Sequence, residues 1–433
     1  MRVGIVGGGV TGLVAGYYLS KRGADVLIFE AEPEVGGLLR SYCAERGGYC
    51  IERFYHHIFR GDRGLIELIE ELGLSNLLDW RKGSTGYHVG GRVYPLTTPG
   101  EILRFPHLTL LDKARLAALV LRSRICSLED LDGIRARDLI ERTGGKRLYR
   151  NFFEPLLRSK FGEKRGEVSA AWLFGRIRIR SDRSPGGEHL GYMRGGFQRL
   201  VDALADQIIA HGGAIHTDEP VTRILIDNGR VSGLESRKER YRFDRVISTV
   251  PPGVLREISG IDTGNFPYQG ACCALFGMKK ALMEGVYWLN IADDLPFGAL
   301  IEHTNLFPVE WYGEHLLYVA SYFQSEKDPL WQKSEKEVIR TFISGIKRLF
   351  PGFSEDDIRW WRVARTRYAG PIYSVGLREQ IPPYRVENIG GLYLAGMFSM
   401  ANYPERSING SVIAGKACCE ALSDDNIADG KGD

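Results

Sequence analysis

The first thirty residues, MRVGIVGGGVTGLVAGYYLSKRGADVLIFE, constrain this chain more than any other stretch. Arg2 to Val6 is a short apolar run suited to a buried parallel strand, a helical pattern comes next, and a second apolar run ends at Glu30. Between the first run and the helix stand Gly7, Gly9 and Gly12, spaced G-x-G-x-x-G. Each answers a different steric demand: Gly7 permits the tight turn, Gly9 lets a pyrophosphate approach the backbone, and Gly12 lets helix and strand pack closely. Phosphates would sit on the helix N-terminus, where unpaired N–H groups and the helix dipole favour negative charge. A carboxylate at Glu30 accepts hydrogen bonds from ribose hydroxyls and repels a 2′-phosphate. The pattern therefore predicts a βαβ dinucleotide site that disfavours NADP.

The residues after Glu30 separate one dinucleotide from another. AEPEVGGLLRSY places Gly36, Gly37 and Arg40 after a short loop. With these residues the chain resembles the flavoprotein superfamily of monoamine oxidases, phytoene desaturases, protoporphyrinogen oxidases and UDP-galactopyranose mutases. There the Gly-Gly pair lets the chain run close to FAD and a nearby basic residue meets the pyrophosphate, so the resemblance implies FAD. It also implies an α/β fold (α+β overall), a Rossmann-like FAD-binding domain with an inserted, mixed helical and β-sheet substrate domain.

Three separated segments, 1–80, 191–255 and 385–425, read as the discontinuous FAD-binding domain. The second opens on a Gly-Gly turn and an amphipathic helix, continues as strands around the Asp227-Asn228-Gly229 turn, and closes with FDRVISTVPP, a strand stopped by Pro251 and Pro252. By resemblance, the Val221 backbone meets the adenine. The third runs from a strand through Leu394 into a turn and a helix from about Ser407, whose N-terminus would face the flavin or its ribityl chain. Met397 comes after Gly396 where many members carry an acid that bonds a ribityl hydroxyl. The expected cofactor-binding residues are Gly7, Gly9, Val10, Thr11, Gly12, Glu30, Ala31, Gly36, Gly37, Leu38, Arg40, His57, Val221, Gly396, Met397, Ser407 and Ile408.

The insertions, 81–190 and 256–384, read as the substrate domain. The first is mainly helical by period, and the second is strands with one helix, Ser334 to Leu349. The residues after Ser423 look disordered, with 426–433 a flexible tail.

A closer set of ordered motifs resembles the UDP-galactopyranose mutases. RFYHHIFRGD resembles the stretch beside the flavin, with His57 at its first histidine and Arg60 in place of the second. In LLRSKFGEKRGEVSAAWLFGRIRIRSD, Phe161 replaces a tryptophan that stacks on uracil and Arg180 matches a diphosphate-binding arginine. ALIEHTNLFP keeps Glu302 and His303 but has Ala299 where the mutases carry a second diphosphate arginine, and Tyr403 and Glu405 match a Tyr-x-Asp pair near flavin and substrate. The resemblance thus nominates His57, Arg180, Tyr403 and Glu405 as catalytic. Plainer roles exist for each. The Arg176, Arg178, Arg180 series alternates with isoleucines as a solvated strand face would, whereas in a helix Arg176 and Arg180 would share a side. Tyr403 and Glu405 would serve equally as a helix cap.

Composition adds boundaries. A net charge of +3 on 433 residues is too mild for a nucleic-acid partner. Seven cysteines without C-x-x-C spacing read as reduced, mostly buried thiols of a cytoplasmic protein, and no His or Cys cluster has metal-ligand spacing. The nucleotide fold is read as beginning at residue 2, so no signal peptide is expected. Leu108 to Ile125 is broken by five charged residues and reads as an amphipathic helix packed on the protein's own core, with contact to a membrane surface as the lesser alternative. The leading expectation is an FAD-dependent oxidoreductase that moves a hydride from an anionic organic substrate, sugar-nucleotide or lipid-linked, to flavin N5. The alternative is a redox-neutral mutase-like flavoenzyme acting on a nucleotide sugar.

Overall fold

The computed structural model describes residues 1–44, 48–181, 188–264 and 266–428. The opening unit folds as β1 (Arg2–Val6), α1 (Val10–Lys21) and β2 (Asp25–Phe29). Around β1 a five-stranded parallel sheet assembles in the order Ala214–His216, β2, β1, Arg245–Ser248, Leu392–Leu394. Its strands come from all three expected segments of the nucleotide domain. Helix α1 is apolar nearly all round because it is enclosed: the helix Ile408–Ala428 covers one side and the helix Gln198–Ala210 another. Two glycines make that fit possible, since a Cβ at Gly415 would stand 2.7 Å from the Thr11 carbonyl and one at Gly16 2.7 Å from Ile28.

A seven-stranded sheet runs in the order Ile358–Pro371, Tyr268–Met278, His315–Phe323, Ala299–Glu302, Trp288–Ile291, Thr85–Val89, Arg92–Pro95. Its strands fall in the two expected insertions. Along Tyr268–Met278 the side chains alternate as a strand requires: Cys272, Ala274 and Phe276 join the core beneath the helix Glu335–Leu349, while Cys273 and Leu275 face the other way, toward the nucleotide domain. Ser334 caps that helix with Glu337 in a reciprocal capping box. The helices Pro99–Arg104, Leu110–Ile125, Glu154–Phe161 and Ala170–Ser181 form a separate group beside the sheet.

Three expectations need correction, and one open alternative is decided. The alternating arginines lie in the helix Ala170–Ser181, not in a strand, because Ala171, Trp172, Leu173 and Phe174 bury a continuous helical surface. The last helix continues to Ala428, so disorder does not begin after Ser423; Arg22 and Arg385 bond Ser423 and Asp425, and 429–433 lie outside the described residues. Cys43 and Cys50 are joined as a disulfide across paired strands, Ser41–Cys43 and Cys50–Glu52, so two of the seven thiols are not free. That removes the cysteine argument for a reducing compartment. The helix expected from Leu108 starts at Leu110, where Thr109 and Asp112 close a capping box. Among the described residues no helix is long and apolar enough to cross a membrane.

Glu52 joins these layers. Its carboxylate accepts the Tyr192 hydroxyl at 2.7 Å and the Phe197 N–H, and its carbonyl accepts the Tyr318 hydroxyl at 2.6 Å. Burial pushes the Glu52 carboxyl up to about 7, against the lowering effect of the Tyr192 and Phe197 bonds. A raised folded-state value means the folded protein holds the proton more tightly than the unfolded chain, so this contribution to stability is lost as pH rises from about 4.5 to about 7. A displacement of that size corresponds to roughly 3 kcal/mol. The variant Glu52→Gln is expected to flatten the pH dependence of Tm between these values, as measured by thermal denaturation across that range.

Candidate active site

The parallel sheet ends its strands at one edge, and the residues just beyond those ends, Gly7, Glu30, Thr249 and Gly396, border a cavity of about 1690 Å³. This is the position where open α/β sheets bind ligands. At the start of α1 the N-cap is Gly9, and among the described residues no side chain caps the first-turn N–H groups. The Gly36–Gly37 turn comes directly against it: Gly36 N–H donates to the Gly8 carbonyl at 2.8 Å, and a Cβ on Gly37 would stand 3.2 Å from the Gly9 Cα. Both turn glycines have positive φ, 111° and 57°. Glu30 is fixed by the backbone it faces, with one oxygen accepting from Gly8 N–H at 2.8 Å and the other from Glu32 N–H at 3.0 Å. Each oxygen keeps a lone pair for a further donor. Arg40 donates to the Gly37 carbonyl and pairs with Glu32 at 2.8 Å.

Of the residues expected to hold the cofactor, Gly7, Gly9, Val10, Thr11, Glu30, Gly36, Gly37, Leu38, Arg40, His57, Gly396, Met397, Ser407 and Ile408 line this cavity. Three do not. Gly12 serves the turn, since a Cβ there would stand 2.0 Å from the Gly7 carbonyl oxygen. Ala31 is exposed, and Val221 begins the strand Val221–Asp227 with its side chain against the core.

The expected catalytic residues separate. His57 lines the cavity with Nδ1 3.0 Å from the Tyr287 hydroxyl and its ring edge-on to Phe59, Tyr287 and Trp288. Glu405 lines it too, but as half of an ion pair: Lys160 Nζ lies 3.1 and 3.2 Å from its oxygens. It does not cap the last helix; Ser407 does, accepting from Gly410 N–H at 2.9 Å. Tyr403 is turned from the cavity, donating to the buried Asp132 carboxylate, which would otherwise lack that donor. Arg180 sits in the helix Ala170–Ser181 with its side chain outside the described residues; one turn earlier, Arg176 lines the cavity.

Charge is concentrated around Glu405. Burial alone would raise its carboxyl, yet Lys160, Arg176 and Arg406 together hold it below the usual carboxylate range. Burial brings the Lys160 ammonium down to about 7 despite the pull of Glu405, with Arg176 and Arg406 adding repulsion. The Lys160 Nζ also lies 4.7 Å from the Trp172 ring centre. His56, pushed down to about 4 by burial and then by Arg406, is neutral at pH 7 and bonds the Phe54 carbonyl through Nδ1. Among the described residues no group of three or more His, Cys, Asp or Glu could hold a metal ion.

The sequence profile of the flavin containing amine oxidoreductases matches residues 10–423. The chain belongs to that family. Among its curated relatives is the 15-cis-phytoene desaturase of Arabidopsis thaliana, 22% identical over an alignment that covers 98% of this chain and 80% of that protein. Its fold is shared with an oxidoreductase from Methanosarcina mazei, at 20% identity and a TM-score of 0.74 over 97% of this chain and all of the other. It is shared equally with reduced UDP-galactopyranose mutase, at 18% identity and a TM-score of 0.75 over 98% and 95%.

The cofactor of this flavoprotein is FAD, and the cradle suits it. The uncapped start of α1 and the space kept free between Gly9 and Gly37 would receive the pyrophosphate, Glu30 the ribose, and the turn from Gly396 to Ile408 the flavin end. Lys160 and Arg406 escaped the sequence reading and Arg176 entered it only as a member of the arginine series, although a signal was present. Lys160 shares a helix face with Leu156 and Leu157, and Arg176 with Trp172 and Leu173, so each places a cation in an apolar stripe. The variant Glu30→Ala, which removes both the ribose acceptor and the brace on Gly8, is expected to purify with several-fold less FAD per chain, read from the ratio of flavin to protein absorbance.

Proposed function

We propose that this flavoprotein oxidises a large, mainly apolar organic substrate, of the lipid-linked kind, with its hydride passing to flavin. The observation that carries this is the cavity wall supplied by the helices. Ile102, Leu116, Val120, Phe152, Phe153 and Leu156 line it, an apolar wall continuous with the part of the cavity that would hold FAD. FAD supplies the electron-pair acceptor; the protein's part is to orient the substrate and exclude water. Matches to desaturases named for phytoene and zeta-carotene support an apolar substrate.

Several positions weigh against the nucleotide-sugar alternative. Phe161 is fully buried edge-on to Trp172, not presented to the cavity, and Ala299 offers no charge. Glu302 is buried and accepts from Leu282 and Met283 N–H, while His303 bonds the Tyr312 hydroxyl. The mutase-like residues thus do structural work at these positions.

The same reading includes how such a substrate arrives. Leu121 of the helix Leu110–Ile125 borders the cavity and is 64% exposed, with Leu110 at 78% and Ile125 at 85% on the same helix. Arg122 and Arg124 flank this stripe. An apolar rim with basic neighbours suits contact with an anionic lipid surface. Flotation with anionic vesicles is expected to carry the protein upward, and the double variant Leu121→Ser, Ile125→Ser to remain at the bottom.

The oxidative reading is tested by anaerobic mixing of the holoprotein with long-chain isoprenoid alcohols, with putrescine and with UDP-galactose, while following loss of the oxidised flavin's visible absorbance. Reduction by the isoprenoid class alone is the expected result. The variant Leu156→Glu should slow it by roughly tenfold or more, about 1.4 kcal/mol. Reduction by putrescine alone, or conversion of UDP-galactose only by the reduced protein, would overturn the reading.

A further inference from the structure

This inference rests on the substrate reading above and concerns the substrate's polar end. The cavity wall around Glu405 carries more positive charge than it neutralises. Three cations, Lys160, Arg176 and Arg406, act on one carboxylate, and all four residues line the cavity. Other cationic residues along the cavity are engaged elsewhere: Arg40 by Glu32, Arg53 by Glu34, Arg367 by Glu326, and Arg365 by the carbonyls of Trp331 and Lys333. Lys160 is committed to Glu405. Arg176 and Arg406 are different, because among the described residues neither makes a hydrogen bond or ion pair through its guanidinium.

The backbone makes room for this arrangement. Arg406 lies across Gly370, where a Cβ would stand 2.1 Å from its Nε, so a side chain there would displace it. Gly175, next to Arg176, leaves only 2.7 Å between its Cβ position and Pro404, which draws the helix Ala170–Ser181 against the segment carrying Glu405 and Arg406. Both arginines are partly exposed, and an anion entering the cavity would pair with them where bulk water is restricted. The planar N–H forks of arginine match carboxylate and phosphate oxygens. Apolar wall residues continue from these cations along the same helices, Leu156 and Leu157 with Lys160, Leu173 and Ile177 with Arg176.

The geometry points to a receptor in which Arg176 and Arg406 bind the terminal carboxylate or phosphate of an apolar-chain substrate. Lys160 and Glu405 act as the positioning pair that divides the two arginines' field. The receptor differs from the arginine nominated by sequence resemblance, lies on different residues, and selects amphiphilic anions over neutral apolar molecules.

The test uses the holoprotein and two probes of equal chain length, dodecyl phosphate and dodecanol, each titrated below its aggregation limit while changes in the flavin spectrum and the heat of binding are recorded. Dodecyl phosphate is expected to bind about tenfold tighter or more, a difference of about 1.4 kcal/mol. Arg176→Gln and Arg406→Gln should each remove that preference and leave dodecanol binding unchanged, while Arg176→Lys and Arg406→Lys should retain part of it. Equal affinity of the wild-type protein for the two probes would overturn the receptor while leaving the apolar substrate reading intact. Failure of both to bind would sink the two together. If Arg406→Gln loses FAD and keeps the phosphate preference, Arg406 serves the cofactor and the proposal falls. The comparison of two probes on the unaltered protein does not depend on any variant folding.

Discussion

Everything in the nucleotide half of this protein depends on a place where two backbones meet with no side chain between them. The start of α1 and the Gly36–Gly37 turn approach so closely that a single methyl group on Gly37 would press on Gly9. That contact leaves the first N–H groups of α1 directed at the cavity and unshared with any cap. Glu30, braced on Gly8 and Glu32, holds the turn from its other side. Further along α1 the same device recurs, with Gly16 and Gly415 allowing the enclosing elements to come close.

From this point the two sheets divide the labour. The parallel sheet brings four chain segments to one edge, and the seven-stranded mixed sheet turns one of its faces toward them while its other face rests on the helix Glu335–Leu349. Glu52 fastens hairpin, helix turn and sheet with three bonds in a space without water-facing surface. The cavity is therefore a gap between layers that share their cores, since the parallel sheet packs with one face of the seven-stranded sheet and, on its other side, with the helices.

How much was legible in the sequence depends on the range of the interactions involved. The βαβ unit could be read because local spacing and backbone stereochemistry specify it, whereas the part played by the Gly-Gly turn came from family resemblance. The helix carrying Arg176 was ambiguous because alternating Arg and Ile satisfy a strand's period, and only burial of the preceding Ala-Ala-Trp-Leu-Phe run decides for helix. Tyr403 and Glu405 were placed near the site by motif order, yet their partners, Asp132 and Lys160, are distant in the chain, so opposite orientations of near neighbours could not be foreseen. The Cys43–Cys50 pair was missed for a similar reason: compositional argument about compartment overrode the simple adjacency of two strands. Lys160 was a buried charge within an apolar face, which is legible in principle and was simply outweighed by the louder arginine series.

The strand order carries one more consequence. β1 is joined through Arg245–Ser248 to Leu392–Leu394, and the wall of the cradle ends with Ser407 and Ile408. A chain emerging from the ribosome therefore displays its glycine turn long before the strand and helix that complete the cradle exist, and parallel pairing over such separations is slow. The cradle is complete only once the segment through Ser411 has been made. A coenzyme bound there would add its binding free energy to the folded state and tie together segments that stand far apart in the sequence.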